Sequence, residues 1–169
     1  MSSEQDDDYP EPLIIDWEEI DDDERLARRR QRRLENLFHD KPIYLDDHEA
    51  AEYISETVQE VRELVEDGIL HLIEGTQLLN IEELQIYTLA VAETADERRQ
   101  AVLRRVRWEA QELDLYPLFL REQLLDNFVQ VWGRLAKKFA RDGMNEEALG
   151  VRAIVKQAQA RYKEASTAN

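Results

Sequence analysis

The sequence predicts an all-α fold, a bundle of five to seven helices preceded by an acidic, mobile N-terminal tail. Three observations predict it. Apolar residues recur at helical spacing through most of the chain after residue 22. Turn formers are scarce, with 5 Gly and 4 Pro in 169 residues, too few for a fold of many short strands. Hydrophobic residues reach 43%, enough for a core at a length that suits one domain.

The elements follow in order. A first helix is expected from Asp22 to Phe38, its early acids complementing the positive end of the helix dipole. On a helical wheel Leu26, Ala27, Leu34, Leu37 and Phe38 share one side. Arg25, Arg28, Arg29, Arg32 and Arg33 occupy the other, and Arg30 intrudes on the apolar face. Asp40 to Leu45, around Pro42, reads as a connector. Asp46 or Asp47 caps a second helix expected to run to Asp67, with Ile54, Val58, Val61 and Val65 as its stripe and Gly68 as its stop. Ile69 to Ile73 is a short apolar run that periodicity does not assign, a short helix being favoured over an isolated strand. Asn80 with Glu83, and Thr94 with Glu97, have the spacing of capping boxes. The helix after Asn80, Ile81 to Ala92, is apolar on nearly every side and is expected to be central. The next, Ala95 to Leu113, carries Val102, Val106, Ala110 and Leu113 on one face. Pro117 suits the first turn of a helix reaching Arg141, whose wide arc holds Leu120, Leu124, Leu125, Phe128, Val131, Trp132, Leu135 and Phe139. Asp142 and Gly143 end it. Asn145 caps a last helix to about Glu164, striped by Val151, Val155, Ala158 and Tyr162.

Charge is partitioned along the chain. Of the formal −16, residues 1–24 contribute twelve acids and no base, while Arg25 to Arg33 contributes six arginines and no acid. Like charges at that density resist collapse. The expected organisation is an interaction tail at 1–24 and one helical domain at 25–169. Leu13, Ile14, Ile15, Trp17 and Ile20 are embedded in the tail. Leu13, Trp17 and Ile20 have the i, i+4, i+7 spacing with which a short helix anchors in a partner's groove, and flanking acids steer such a segment to a basic rim. The competing reading docks Ile14, Ile15 and Trp17 on the protein's own core.

The string Arg28-Arg29-Arg30-Gln31-Arg32-Arg33 resembles arginine-rich motifs that bind phosphate backbones, and also basic nuclear-targeting patches. Twelve acids immediately ahead of it repel nucleic acid. The arginine face is therefore expected to receive an acidic surface, from the tail or from a partner. Arg25, Arg28, Arg29, Arg32 and Arg33 thus join the five tail hydrophobes as candidate partner-binding residues. Arg98, Arg99, Arg104, Arg105 and Arg107 ring their helix and read as ion pairing and a solvated face. Arg99 falls among apolar positions and needs a carboxylate if buried.

Catalytic constellations are thin. The absence of Cys excludes disulfides, thiol nucleophiles and Cys-based metal sites. Ser2, Ser3, Ser55 and Ser166 lie in no nucleophile elbow, and no Gly-rich loop precedes a helix. Asp46, Asp47, His48 and Glu49 bring ligand atoms together, but a helix N-terminus collects such residues anyway. No His-Glu-x-x-His or Glu-x-x-His pattern includes His39, His48 or His71, and His71, inside an apolar run, reads as a core histidine. The expectation is no metal and no cofactor. No apolar stretch approaches the roughly 18 residues of a membrane helix, and the acidic start is unlike a signal or transit peptide.

Trp132, Leu135, Ala136, Phe139, Gly143, Glu147 and Ala148 resemble a tetratricopeptide helix hairpin, in which small and aromatic positions let two helices pack closely. The likeness spans residues 132–155. Arg152 stands near the second-helix aromatic position, and no second copy follows at a matching period.

The functional expectation is a non-enzymatic, cytoplasmic interaction protein: an adaptor, assembly factor or regulator. It uses the tail and the helical body, and its partner offers a basic or apolar groove. The alternatives are a nucleic-acid-binding regulator acting through Arg25 to Arg33, with the nucleus as a second location, or an acidic nucleic-acid mimic that blocks a basic partner. Wide apolar arcs after Asn80 leave room for homo-oligomers, and no membrane contact is expected.

Overall fold

The computed structural model describes residues 21–39 and 43–167. Among them lie seven α-helices and one pair of two-residue strands. They are α1 (Asp22–His39), β1 (Tyr44–Leu45), α2 (Asp47–Ile54), α3 (Val58–Glu66), β2 (Leu79–Asn80), α4 (Ile81–Ala90), α5 (Ala95–Glu112), α6 (Leu118–Arg141) and α7 (Asn145–Thr167), with a 3-10 turn at Leu113–Leu115. The expected all-α bundle is what the chain forms. No helix among the described residues is long and apolar enough to cross a membrane.

Two hydrophobic clusters share α5. The first joins α2, α3, α4 and the strand pair through Leu45, Tyr53, Ile54, Val61, Leu79, Ile81 and Leu84, and it takes Trp108 from α5. The second joins α5, α6 and α7 through Leu103, Val106, Phe128, Trp132, Ala136, Val151 and Tyr162. Val151, Val155, Ala158 and Tyr162 are all buried, as their spacing predicts. Residues 132–155 span the end of α6, the turn and the start of α7. Gly143 supplies the left-handed turn that ends α6, at φ 81°. At Gly150 of α7 a Cβ would lie 2.6 Å from Leu103 Cδ2, so this glycine allows the close approach of α5.

Four sequence expectations are corrected. The single helix expected from Asp46 to Asp67 is two. Ser55 takes a left-handed conformation at φ 58°, and the Thr57 side chain accepts from Glu60 N to start α3 afresh. Side-chain capping here competes with helix continuation, which the unbroken apolar stripe conceals. Ile69 to Ile73 is not helical: Ile69 and Leu70 still donate to Leu64 O in the turn that ends α3, and the chain beyond them pairs with β2. Leu72 bridges Leu79, and Ile73 N donates to Leu78 O at 2.8 Å. The same hairpin carries the antiparallel pairing Tyr44↔Asn80 and Leu45↔Leu79. His71 within it is no core histidine: its side chain is 70% exposed, facing Glu83 at 3.4 Å. Finally α4 is buried on one face only, through Ile81, Leu84 and Thr88, while Ile86 and Val91 are exposed.

Candidate functional site

The arginine helix docks with its charged side inward. Leu26 and Ala27, on the side expected to be buried, are exposed. Arg33, by contrast, is 1% exposed. Its Nε donates to Glu112, its Nη1 to the Tyr44 carbonyl at 3.0 Å and its Nη2 to Glu49 at 3.3 Å. Arg29 pairs with Glu112 and, at 3.1 Å, with Glu49, and its guanidinium lies 4.8 Å from the centroid of the Trp108 ring. Arg32 donates to Glu49. Arg25 reaches Asp22 at 3.3 Å and Asp46 at 3.7 Å. Arg28 pairs with Glu24 at 3.1 Å on the outer side. The acidic surface that the arginine face receives is thus the protein's own body.

Local structure fixes both acceptors. Glu49 is the third residue of α2, and its backbone N donates to Asp46 Oδ1 at 2.8 Å while its carboxylate returns to Asp46 N at 3.4 Å, a complete capping box. Glu112 closes α5 one turn beyond Trp108, so acid and aromatic share a face. Glu49 and Glu112 are each 3% exposed. Burial pushes the Glu49 carboxyl up to about 7, against the pull of Arg32, Arg29 and Arg33. Burial acts to lower the Arg29 pKa, yet Glu112 and Glu49 outweigh it and hold the group above its ordinary value. Such a cluster adds little net stability when formed, but losing one partner strands a buried charge.

Asp46, Asp47 and His48 place one ligand-type atom each within 4.8 Å of one another. Those atoms are already committed. Asp46 caps α2 and faces Arg25. Asp47 receives both Nε and Nη2 of Arg62, at 3.0 and 2.8 Å, and sits 2.8 Å from His48 Nδ1. The group reads as a charged helix start.

On α5 the buried arginine is Arg105 and not Arg99. Arg105 meets Glu82 and Glu109 at 2.9 Å and Gln85 at 3.0 Å. Arg99, less buried, pairs with Asp96 and Glu146. Arg104 and Arg107 instead flank a cleft between the end of α2 and α5, floored by Tyr53 and Trp108. These two rings meet edge to face, 5.6 Å between centroids. Gln100 and Arg104 also border a second cleft, which reaches Thr88 and Val91 beside α4.

Leu13, Ile14, Ile15, Trp17 and Ile20 lie outside the described residues. Sequence reasoning missed Glu49 and Glu112 as acceptors and Tyr53, Trp108, Arg104 and Arg107 as cleft residues. One signal was present: Glu112 continues the face of Trp108, where an acid needs a cation if buried. No family model matches the chain, and neither the curated proteins nor the solved structures contain a match to it.

Proposed function

We propose that this chain is a non-enzymatic interaction protein, an adaptor, assembly factor or regulator, that presents the outer side of α1 and the acidic segment ahead of it to a protein partner with a basic or apolar groove. The observation that carries this reading is the inverted docking of α1. With Arg29, Arg32 and Arg33 turned onto Glu49 and Glu112, the helix offers Leu26 and Ala27 to its surroundings. Leu13, Ile20, Ala27 and Leu34 recur at seven-residue intervals, so the exposed side of α1 extends the apolar pattern of the preceding segment. Nucleic-acid binding through the arginine face would require breaking buried ion pairs before any phosphate is met, which disfavours that alternative.

The test compares affinities at physiological salt for a captured partner, using the full chain, a variant lacking residues 1–20, and Leu26→Glu. The deletion and Leu26→Glu are expected to weaken binding by at least about tenfold each, the loss of an apolar anchor from a groove. Unchanged affinity in both variants contradicts the reading. Tight, salt-dependent binding of DNA or RNA by the full chain favours the nucleic-acid alternative instead.

A further inference from the structure

Arg134, Lys137, Lys138 and Arg141 recur at i, i+3, i+4 and i+7 over the last turns of α6, on the side opposite the buried Phe128, Trp132 and Ala136. All four are exposed, and among the described residues none has a carboxylate within ion-pair distance. Arg33, Arg62, Arg99 and Arg105, by contrast, each meet at least one. The cause is local: three and four positions from each base of the stripe, only Asp142 is acidic. Within the stripe the bases neighbour one another instead, and such like-charge pairs weaken a helix until an anion offsets them.

Phe119 stands on the same side of α6, five turns before Lys137 and about 27 Å from it along the axis. It is 81% exposed, more than any other large hydrophobic among the described residues. Asp126 lies between the two, which confines the attraction for anions to the end of the helix. The outward side of α6 is therefore apolar at its start and basic at its end.

The chain itself contains the complement. Ahead of Asp21, outside the described residues, come Glu4, Asp6, Asp7, Asp8 and Glu11, then Leu13, Ile14, Ile15, Trp17 and Ile20, with no base among them. An extended chain spans about 26 Å from Asp7 to Ile15, which matches the interval from Lys137 to Phe119. Between Asp7 and Asp21 there is up to about 46 Å of chain. A body of this length has a radius of gyration of about 15 Å, so the segment can reach α6. Tethering gives it an effective concentration in the millimolar range, about a thousandfold above a second copy in micromolar solution. The formal charge of −16 meanwhile repels nucleic acid.

We propose that the outward side of α6 is a docking surface for this chain's own N-terminal segment, with Glu4 to Glu11 on Arg134, Lys137, Lys138 and Arg141 and the apolar residues that follow on Phe119. The segment then runs antiparallel to α6. This contact is independent of the function proposed above, since it forms within one chain whether or not the segment also meets a partner.

Zero-length carbodiimide coupling of lysine amines to carboxylates tests it in the full chain, because trypsin then releases Met1–Arg25 joined to the lysine it met. At about 0.01 M salt, coupling is expected to favour Lys137 and Lys138 over Lys156 by about fivefold or more. It should fall by a similar factor at about 1 M salt, where the screening length drops from about 30 Å to about 3 Å. Arg134→Gln/Arg141→Gln keeps both lysines, and should lower the yield at them by about threefold or more. Phe119→Ser should lower it by about threefold, for the loss of one apolar contact. A mixture of unlabelled and heavy-isotope chains separates coupling within a chain from coupling between chains. Coupling spread evenly over Lys41, Lys137, Lys138, Lys156 and Lys163, coupling mainly between chains, or an undiminished yield in the double-arginine variant overturns the assignment. So does a single-stranded oligonucleotide that binds the full chain tightly and loses that affinity in the same variant, an outcome that gives the surface to nucleic acid.

Discussion

Replacing Glu112 with Ala removes the carboxylate that Arg29 and Arg33 share. Arg33 is 1% exposed, so its guanidinium cannot turn to water for compensation. It keeps the Tyr44 carbonyl at 3.0 Å and Glu49 at 3.3 Å, while Glu49 is left to balance three guanidinium groups. Breaking a buried ion pair by deleting one partner costs about 3–5 kcal/mol, a large share of the roughly 5–15 kcal/mol that holds a domain together. With a urea dependence of about 2 kcal/mol per molar, the midpoint should fall by about 2 M. Urea unfolding followed by far-UV circular dichroism reads this directly. If α1 detaches instead of the whole fold melting, trypsin should cut between Arg25 and Arg33 under native conditions in the variant and spare the parent. Arg28→Ala is the control: its pair with Glu24 is half exposed on both sides, so the change should be within about 0.5 kcal/mol. A Glu112→Ala protein that matches the control in midpoint and in tryptic resistance refutes the inward docking.

Three further outcomes follow from the same structure. Glu49 titrates near 7 in the fold against an ordinary 4.5, so it lends stability that is complete below about pH 4.5 and lost as pH rises through about 7. Glu49→Gln should flatten the decline of thermal midpoint across that window, and an unaltered slope counts against the assignment. Asp47 has the opposite sign. Burial opposes ionisation there, but His48 and Arg62 hold its pKa below 3.8, so its contribution is present above that pH and lost as pH falls further; Asp47→Asn should remove part of the acid unfolding step. Ala136 of α6 is fully buried in the second cluster, so Ala136→Leu should cost about 1–3 kcal/mol in chemical denaturation, and a neutral result would mean that this core is looser than described.

Helix positions were legible where stripe and cap agree. The helix α5 is one such case, with the Thr94 side chain accepting from Glu97 N ahead of the buried Val106 and Leu113. The orientation of α1 was not legible. A helical wheel separates arginine from apolar residues, but which side faces inward depends on Glu49 and Glu112, the latter 79 positions from Arg33. No local pattern encodes that meeting. The break at Ser55 was hidden because Ile54, Val58 and Val61 keep helical spacing across it, although Thr57 with Glu60 offered a cap. Leu72 and Ile73 owe their state to pairing with Leu79 and Leu78, a tertiary contact that overrides intrinsic preference. The cleft was invisible for a related reason: Tyr53 and Trp108 look like ordinary core aromatics until their polar atoms are found without partners.

The arginines of α1 clasp it to the body of the protein. A charged helix of 18 residues has little stability of its own in water, so its protection reports its docking. Native-state hydrogen exchange of the backbone amides of residues 26–34 measures this most directly. Slow exchange that accelerates sharply in Glu112→Ala is expected. Exchange at the rate of an unstructured peptide in the parent protein would contradict it.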